Sequence, residues 1–403
     1  MIAAEAPWLD VVGIGEDGMA GLSPAARAVV ERAEVIVGGD RHHRLSDRVK
    51  AERIAWPSPF DAVIHLLEAH RGRRLVVLAT GDPLWFSVGA RIVRALGEGA
   101  VRFHPQLSAF QLAAARLGWS MADLETLTVH GRPVGQMIPF IQPGARLLIL
   151  TTGAATPGEI AGFLTERGYG ASRMVVFSAM AGPDEARFEA RAQDWRDEVP
   201  EFNTLAVECI AGPGAEVLSR LPGLPDDAFV HDGKITKAEV RAVTLARLMP
   251  VRGALLWDIG AGCGSVSVEW MRAAPDARAI ALEPDAGRRA LAARNVARLG
   301  TPRLDLRDAV APGGLDGLPA PDAVFIGGGL SLATVEAAWA ALRPFGRLVA
   351  NAVTLESEAL LLALRARMGG DLMRLAIARA APVGGMTGWR PLMPVTQWAL
   401  VKR

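Results

Sequence analysis

The sequence predicts an α/β protein of two successive domains, the first built from two lobes. Three observations predict it. Apolar, strand-like runs alternate with helical segments from end to end. The chain has 403 residues, more than one ordinary domain holds. Between its halves, LPGLPDD (Leu221–Asp227) crowds Pro222, Gly223 and Pro225 into a stretch that regular structure does not cross.

In chain order, strands are expected at Leu9–Val12, Val35–Val37, Leu75–Ala79, Arg146–Leu150, Met174–Phe177 and Leu205–Cys209. Ser23-Pro24 is a helix start, a capping residue followed by proline at the first helical position. The break then divides the chain into residues 1–220, a linker at 221–229 and residues 230–403. The first part is long enough for two α/β lobes. After the break, Thr236 is expected to cap a helix, with Glu239 at the capping-box position. Further strands are expected at Ala254–Trp257, Ala279–Leu282, Ala323–Ile326 and Gly346–Ala350.

Composition narrows the function classes. Half of the residues are hydrophobic, 22% are charged and the formal charge is +1, so no global field gathers nucleic acid. Of 44 basic residues only Lys50, Lys234, Lys237 and Lys402 are lysine, which reads as codon usage rather than selection for carboxylate grip. Cys209 and Cys263 stand far apart with no CxxC and no histidine cluster, so neither a disulfide framework nor a cysteine metal site is expected, and a reducing cytoplasm is. MIAAEAPWLDVVGIG carries no positive charge before Arg27 and reads as the run into the first strand, not as a targeting segment. No apolar run approaches the ~20 residues of a membrane helix.

The chemistry of the second half starts at LLWDIGAGCG, Leu255–Gly264. Gly260, Gly262 and Gly264 form a glycine turn after a strand, preceded by Asp258. A dinucleotide turn holds a pyrophosphate on a helix N-terminus, and a carboxylate would repel it. S-adenosylmethionine instead carries an ammonium and a sulfonium, which Asp258 favours. Glu283, about twenty residues on, ends the next strand where an acid can hold ribose hydroxyls. LDLRDA ends at Asp308 and Ala309, placing Asp308 to accept from an adenine amino group or to cap a helix. PDAVFIGGG opens a glycine floor, and it lacks the [DN]-P-P-[YFW] loop of many nucleic-acid amine methylases.

Together KITKAEVRAVTLARL, LLWDIGAGCGSVSVEW, PDAVFIGGG and GRLVANAVTLES resemble the decarboxylating precorrin methyltransferases, from about Asp232 to the end of the chain. The resemblance implies a Rossmann-like domain that binds S-adenosylmethionine at the glycine turn, Glu283 and Asp308. It also places Thr236 and Asn351 in the cleft.

The first half holds a literal GxGxxG at Gly13, Gly15 and Gly18, with Asp40 further on. The dinucleotide reading is set aside because the helix signal comes only at Ser23-Pro24. EVIVGGDRHHRL, VVLATGDPLWFSVG, RFHPQLSAFQLAAARLGW and LTVHGR resemble the tetrapyrrole methylase family. That implies two α/β lobes with a cleft between them and a cofactor loop at Gly81, Asp82 and Pro83, with Ser108 beside it. Pro105-Gln106 departs from the Pro-Gly of many members. His42 and His43 read as a solvated surface among arginines. His104 is either a cleft residue or turn packing, while His130 and Arg132 are the candidates for the substrate side.

Two methyltransferase domains that both point to tetrapyrroles imply one reading: an enzyme of the aerobic cobalamin route. It would methylate a precorrin at carbons 5 and 15 and remove carbon dioxide from the carbon-12 acetate, giving precorrin-8X. Each domain would carry one S-adenosylmethionine site; no metal, nucleic acid or membrane is expected, and a homo-oligomer is. The other readings are an RNA or other small-molecule methyltransferase, which for RNA should show a basic stripe with aromatics, and a non-catalytic scaffold with degenerate clefts.

Overall fold

The computed structural model describes residues 7–403, so the opening MIAAEA lies outside the described residues. They form two compact units, one running to Val134 and from Ile141 to Glu216, the other comprising Gly135–Phe140 and Val217–Arg403.

The first unit has two sheets, one per lobe. In the first, β1 (Leu9–Ile14), β2 (Val35–Gly38), β3 (Glu52–Ala55), β4 (Leu75–Thr80) and β5 (Val101–His104) lie in the order β3-β2-β4-β1-β5, all parallel. Successive side chains alternate between the faces. Val11, Val37 and Val77 pack with Leu67 and Ile92 on one side; Val12, Ile36 and Leu78 pack with Ala26 and Val30 on the other. Covered on both faces, these strands read as continuous apolar runs, which is why three of them were legible. Ser23 accepts from Ala26 N–H and starts the helix Pro24–Glu31 as expected. A one-turn helix at Gly18–Gly21 precedes it, contrary to the expectation that no helix begins at the third glycine. Its capping position is Asp17, a carboxylate that opposes a phosphate there.

The second lobe is a mixed sheet of β6 (Glu125–Thr128), β7 (Arg146–Leu150), β8 (Arg173–Ser178), β9 (Ala186–Arg191) and β10 (Asn203–Glu208), ordered β6-β7-β10-β8-β9. Only β6 and β7 pair in parallel.

The second unit is an open sheet of seven strands. β11 (Leu255–Ile259), β12 (Arg278–Leu282), β13 (Asp305–Arg307), β14 (Ala323–Ile326) and β15 (Arg347–Ala352) are parallel. β16 (Asp371–Leu375) and β19 (Val395–Val401) complete the order β13-β12-β11-β14-β15-β19-β16, with β19 antiparallel to both neighbours. Between them β17 (Ala378–Val383) and β18 (Met386–Pro391) form a separate hairpin. The chain leaves β11 toward β12 on one side and later toward β14 on the other, which makes the crevice between β11 and β14 a topological switch point. Among the described residues no helix is long and apolar enough to cross a membrane.

The stretch expected as a linker is packed into this second unit. Leu224, Ala228 and Phe229 are buried against Ile235, Cys263, Val268 and Leu299. Arg241, fully buried, donates from Nε to Glu269 Oε1 at 2.6 Å and from its terminal nitrogens to the carbonyls of Leu224 and Thr236. Glu269 in turn accepts from Gly223 and Leu224 N–H at 2.7 and 2.9 Å. Prolines prevent helix and strand here but leave N–H and C=O groups to be satisfied, and this ion pair satisfies them.

Removing one partner of such a pair strands a buried charge. Glu269→Ala is expected to destabilise the second unit by about 3–5 kcal/mol, read as a fall in its denaturant midpoint; a change under about 1 kcal/mol would show that the pair is not structural.

Candidate active site

The register of the second unit's sheet assembles a row of residues at its carboxyl edge. Ile259 lies beside Leu282 and Ile326, Leu282 beside Arg307, and Ile326 beside Ala350. The next residue of each strand therefore emerges in one line: Asp308, Glu283, Gly260, Gly327 and Asn351. A cavity of about 390 Å³ opens at the middle of the row, lined by Thr236, Gly260, Gly262, Glu283, Ala309 and the Gly327–Gly329 loop, with Asp308 and Asn351 at the ends of the row outside its lining. That volume lies within the roughly 300–1,000 Å³ of small-molecule sites.

Gly260 has φ +69°, and a Cβ there would lie 2.6 Å from Gly328 Cα and 2.7 Å from its nitrogen. The turn after β11 and the turn after β14 thus meet backbone to backbone, and only glycine permits it. Glu283, buried, accepts from Gly262 N–H at 2.8 Å and from Asp285 N–H at 3.0 Å. Each oxygen keeps a lone pair beyond these bonds.

Asp258 does not stand at the mouth of the turn, where the sequence suggested it. It is fully buried behind the turn, and its Oδ2 accepts from Ser267 N–H at 3.1 Å and Ser267 Oγ at 2.6 Å. One oxygen therefore serves an orphan donor in the first turn of the helix Ser265–Ala273. Oδ1 is buried with no hydrogen-bond partner. Burial pushes the acid up to about 6, with the neighbouring Glu283 charge adding to the shift.

Other expectations shift in detail. Thr236 does not cap a helix. The helix Ala238–Leu248 starts from Lys237, because Arg241 holds the Thr236 carbonyl, and Glu239 pairs with Arg379 instead of closing a capping box. Thr236 is thereby left on the cavity wall. Asp308 caps no helix either. Its side chain is 68% exposed and accepts through Oδ2 from Arg289 at 2.8 Å, while the same arginine donates to the Glu283 carbonyl. Gly264 and Asp258 support the turn from outside the cavity lining, and Gly264 adopts φ +76° at the helix cap. Asn351 is held by Thr244 and Gln397, which donates to its Oδ1 at 2.9 Å. Sequence reasoning missed Arg241, Glu269, Arg289 and Gln397. The only available signal was helical or strand spacing that turns polar residues inward.

In the first unit, β1 and β4 end side by side, and Gly13 lies under the Gly81 loop: a Cβ on Gly13 would sit 1.9 Å from the Gly81 carbonyl oxygen. Asp82 folds its own loop, accepting from Leu84 N–H at 2.8 Å. Ser108 caps the helix Ala109–Leu117 in a capping box with Gln111. A cavity of about 40 Å³ is lined by Glu16, Arg41, Thr80, Gly81 and Phe202 among others, while Asp82, Pro83 and Ser108 are not in its lining. His130 and Arg132 are exposed, the Arg132 guanidinium 5.8 Å over the Phe86 ring. His104 pairs with Asp10 at 2.8 Å across neighbouring strands. His42 is not a solvated residue: it is buried, with a pKa lowered to about 4 by burial and then by Arg41. Among the described residues no cluster of three or more His, Cys, Asp or Glu is placed to hold a metal ion.

Asp258 binds its proton more tightly in the folded state than unfolded, so its contribution to stability falls as pH rises from about 4 through about 6. The size is on the order of 2–3 kcal/mol. Asp258→Asn should flatten that fall, measured as unfolding midpoints at about pH 4 and about pH 7; equal slopes in both proteins would contradict the burial argument.

Known proteins carry the same two-part pattern. The family description "Tetrapyrrole (Corrin/Porphyrin) Methylases" matches residues 9–195, and "Precorrin methyltransferase domain" matches residues 227–402. The chain is 46% identical to a precorrin-6Y C(5,15)-methyltransferase (decarboxylating) of a Sinorhizobium species, over 99% of this chain and 98% of that one. It is 33% identical to the cobalt-precorrin-7 C(5)-methyltransferase of Salmonella typhimurium, over 44% of this chain and 87% of that one. Among solved structures, the C-terminal domain of precorrin-6Y C5,15-methyltransferase from Rhodobacter capsulatus is 52% identical, covering 46% of this chain and all of that one, with a TM-score of 0.44. The full-length match shows that this chain belongs to the precorrin-6Y C(5,15)-methyltransferase (decarboxylating) family, methyltransferases of cobalamin biosynthesis.

Proposed function

We propose that the chain methylates precorrin-6Y at carbons 5 and 15 and decarboxylates the carbon-12 acetate, giving precorrin-8X. The observation that carries this reading is the 390 Å³ cavity at the switch point of the second unit, in a chain whose whole length matches a relative of that name. We assign carbon 15 and the decarboxylation to the second unit and carbon 5 to the first, each with its own S-adenosylmethionine site. The Salmonella C(5)-methyltransferase, matched by under half of this chain, supports a carbon-5 activity that fits in one part.

The residues of the second unit fit that cofactor. The glycine turn lets the ligand approach the backbone, and acids replace phosphate-binding groups. Asp258, behind the turn, acts on the site through Ser267 by holding the helix that follows the glycines. Glu283 keeps lone pairs for ribose hydroxyls, and Asp308 keeps Oδ1 for an adenine amino group beside Ala309. Thr236, Gly260 and Gly262 form the wall, and Gly264 starts the supporting helix. In the first unit Gly81, Asp82, Pro83 and Ser108 shape the corresponding loop. When bound, S-adenosylmethionine supplies a methyl group on a sulfonium, a leaving group that needs no protonation. The protein's part is therefore alignment and exclusion of water. Asn351, fixed by Gln397 and Thr244 at the end of the row, faces the macrocycle in this reading, as His130 and Arg132 do in the first unit. Decarboxylation breaks the bond to the acetate carboxylate, and its electron pair passes into the conjugated ring.

The reading places the enzyme in the cytoplasm as a homo-oligomer. In support of the latter, the β17–β18 hairpin and the turn after it expose Met386, Trp389 and Met393, at 79%, 78% and 68%. The full-length relative does not favour RNA as substrate.

Gly260→Ala tests the assignment. Its Cβ forces the two turns apart, and a displacement of about 1 Å should cost roughly 100-fold in methylation at carbon 15 and in carbon dioxide release. Carbon-5 methylation of a macrocycle already methylated at carbon 15 should continue. Mass spectrometry of the products decides; loss of both methylations would defeat the division of labour.

A further inference from the structure

Arg41, His42 and Thr80 of the first unit form a hydrogen-bond chain that the assignments above leave unused. Gly39 N–H donates to His42 Nδ1 at 3.1 Å. A ring nitrogen that accepts carries no proton, so the proton of the neutral ring is on Nε2. The lowered pKa agrees with a neutral ring. Nε2 therefore donates to Thr80 Oγ1, 3.0 Å away. Arg41 Nη1 donates to the same oxygen, also at 3.0 Å. Both lone pairs of the Thr80 hydroxyl are then taken, and its hydrogen has to leave in a third direction. Thr80 stands at the end of β4, on the wall of the 40 Å³ cavity.

Arg41 is held by side chains alone. Glu16 accepts from its Nε and Nη2, and the Phe202 ring lies 4.1 Å from its guanidinium carbon. Of its five N–H groups one on Nη1 and one on Nη2 remain. Beside Thr80, then, the cavity presents two donors, a hydroxyl locked outward and an arginine edge, with the Glu16 carboxylate on the same wall taken up by Arg41. The cavity has room for a small polar group and none for a ring.

We propose that Arg41 and Thr80 form a carboxylate-binding subsite in the first unit, with His42 as the residue that positions the Thr80 hydroxyl, and that its occupant is a carboxylate side chain of the macrocycle. A guanidinium with an adjacent locked donor favours an anion over a neutral acceptor. The proposal rests on the reading that this unit methylates carbon 5. The same chemistry would also take the methionine carboxylate of the cofactor, so both ligands are tested.

The full chain is used, with Thr80→Val, Thr80→Ser, His42→Leu and His42→Gln. Thr80→Val should raise KM for the carbon-15-methylated macrocycle roughly tenfold, more than it lowers kcat. Thr80→Ser keeps the hydroxyl and should recover most of that affinity. His42→Leu should raise KM in the same direction, and His42→Gln, which keeps a donor toward Thr80, should raise it less. Titration of S-adenosylhomocysteine should give the wild-type affinity in all four. If that affinity falls instead while the macrocycle KM holds, the macrocycle assignment is overturned in favour of the cofactor. Unchanged affinity for both ligands in Thr80→Val, or equal losses in Thr80→Val and Thr80→Ser, would overturn the subsite itself. Should the wild type add no methyl at carbon 5, the functional reading fails separately, and direct titration of the macrocycle onto wild type and Thr80→Val still reads the subsite.

Discussion

The buried pair Arg241–Glu269 is the constraint on which the second unit depends. Arg241 belongs to the first helix of that unit and Glu269 to the helix that follows the glycine turn. Between them they bind both N–H groups and a carbonyl of the Pro-Gly-Leu segment, and the carbonyl of Thr236. A charge buried this completely is tolerated only when its hydrogen-bonding capacity is filled, and filling it leaves one arrangement of these four pieces. The position of Thr236 on the cavity wall is a consequence. So is the seating of the helix whose first turn Asp258 supports.

From that frame the ligand face follows by register. Parallel strands in step end in step, so five residues far apart in sequence come into line. Their polarity is uneven in a useful way. Asp308 and Glu283 follow β13 and β12, with Asp258 buried in β11 between the two sides, while Gly327–Gly329 and Asn351 lie on the side of β14 and β15. The acidic side suits hydroxyl and ammonium donors. The glycine side has no side chains to obstruct a broad, flat substrate. Gln397 on β19 reaches this row because β19 runs antiparallel to β15 and pairs with Asn351 directly.

Much of this was legible in the residues. The central strands are apolar on both faces and declare themselves, and LLWDIGAGCG announces a turn that only glycine can make. What was not legible depends on partners distant in sequence. LPGLPDD reads as a linker because proline and glycine report local geometry only; the bonds that bury the segment come from Glu269 and Arg241. The motif points Asp258 to the turn's mouth because sequence position says nothing of which way a strand-end side chain turns. Thr236 and Glu239 had capping-box spacing, but a buried arginine took the carbonyl and Arg379 took the acid. The arginines around His42 in sequence point it to solvent. In the fold its ring turns inward to Thr80, while His43 is half-buried and Arg44 exposed.

The two units solve one electrostatic problem in different ways. In the second, the two buried acids are held by backbone N–H groups, Glu283 by Gly262 and Asp285 and Asp258 by Ser267, whose hydroxyl also donates to it. Their charges are set before any ligand arrives, and desolvation leaves Asp258 partly protonated near pH 6. In the first, the fixed charge is Arg41, and it is balanced by Glu16 rather than by the backbone. A charge balanced by a side chain can release part of its partner's hold when an anion approaches. One satisfied by backbone groups cannot, because those groups are tied into the glycine turn and the first turns of the helices that follow β11 and β12. The second unit's cleft is therefore pre-organised for donors, and the first unit's cleft keeps an adjustable response to a carboxylate. That difference suits a cofactor site with invariant chemistry in one case, and in the other a contact to a flexible, carboxylate-bearing arm of a large ring.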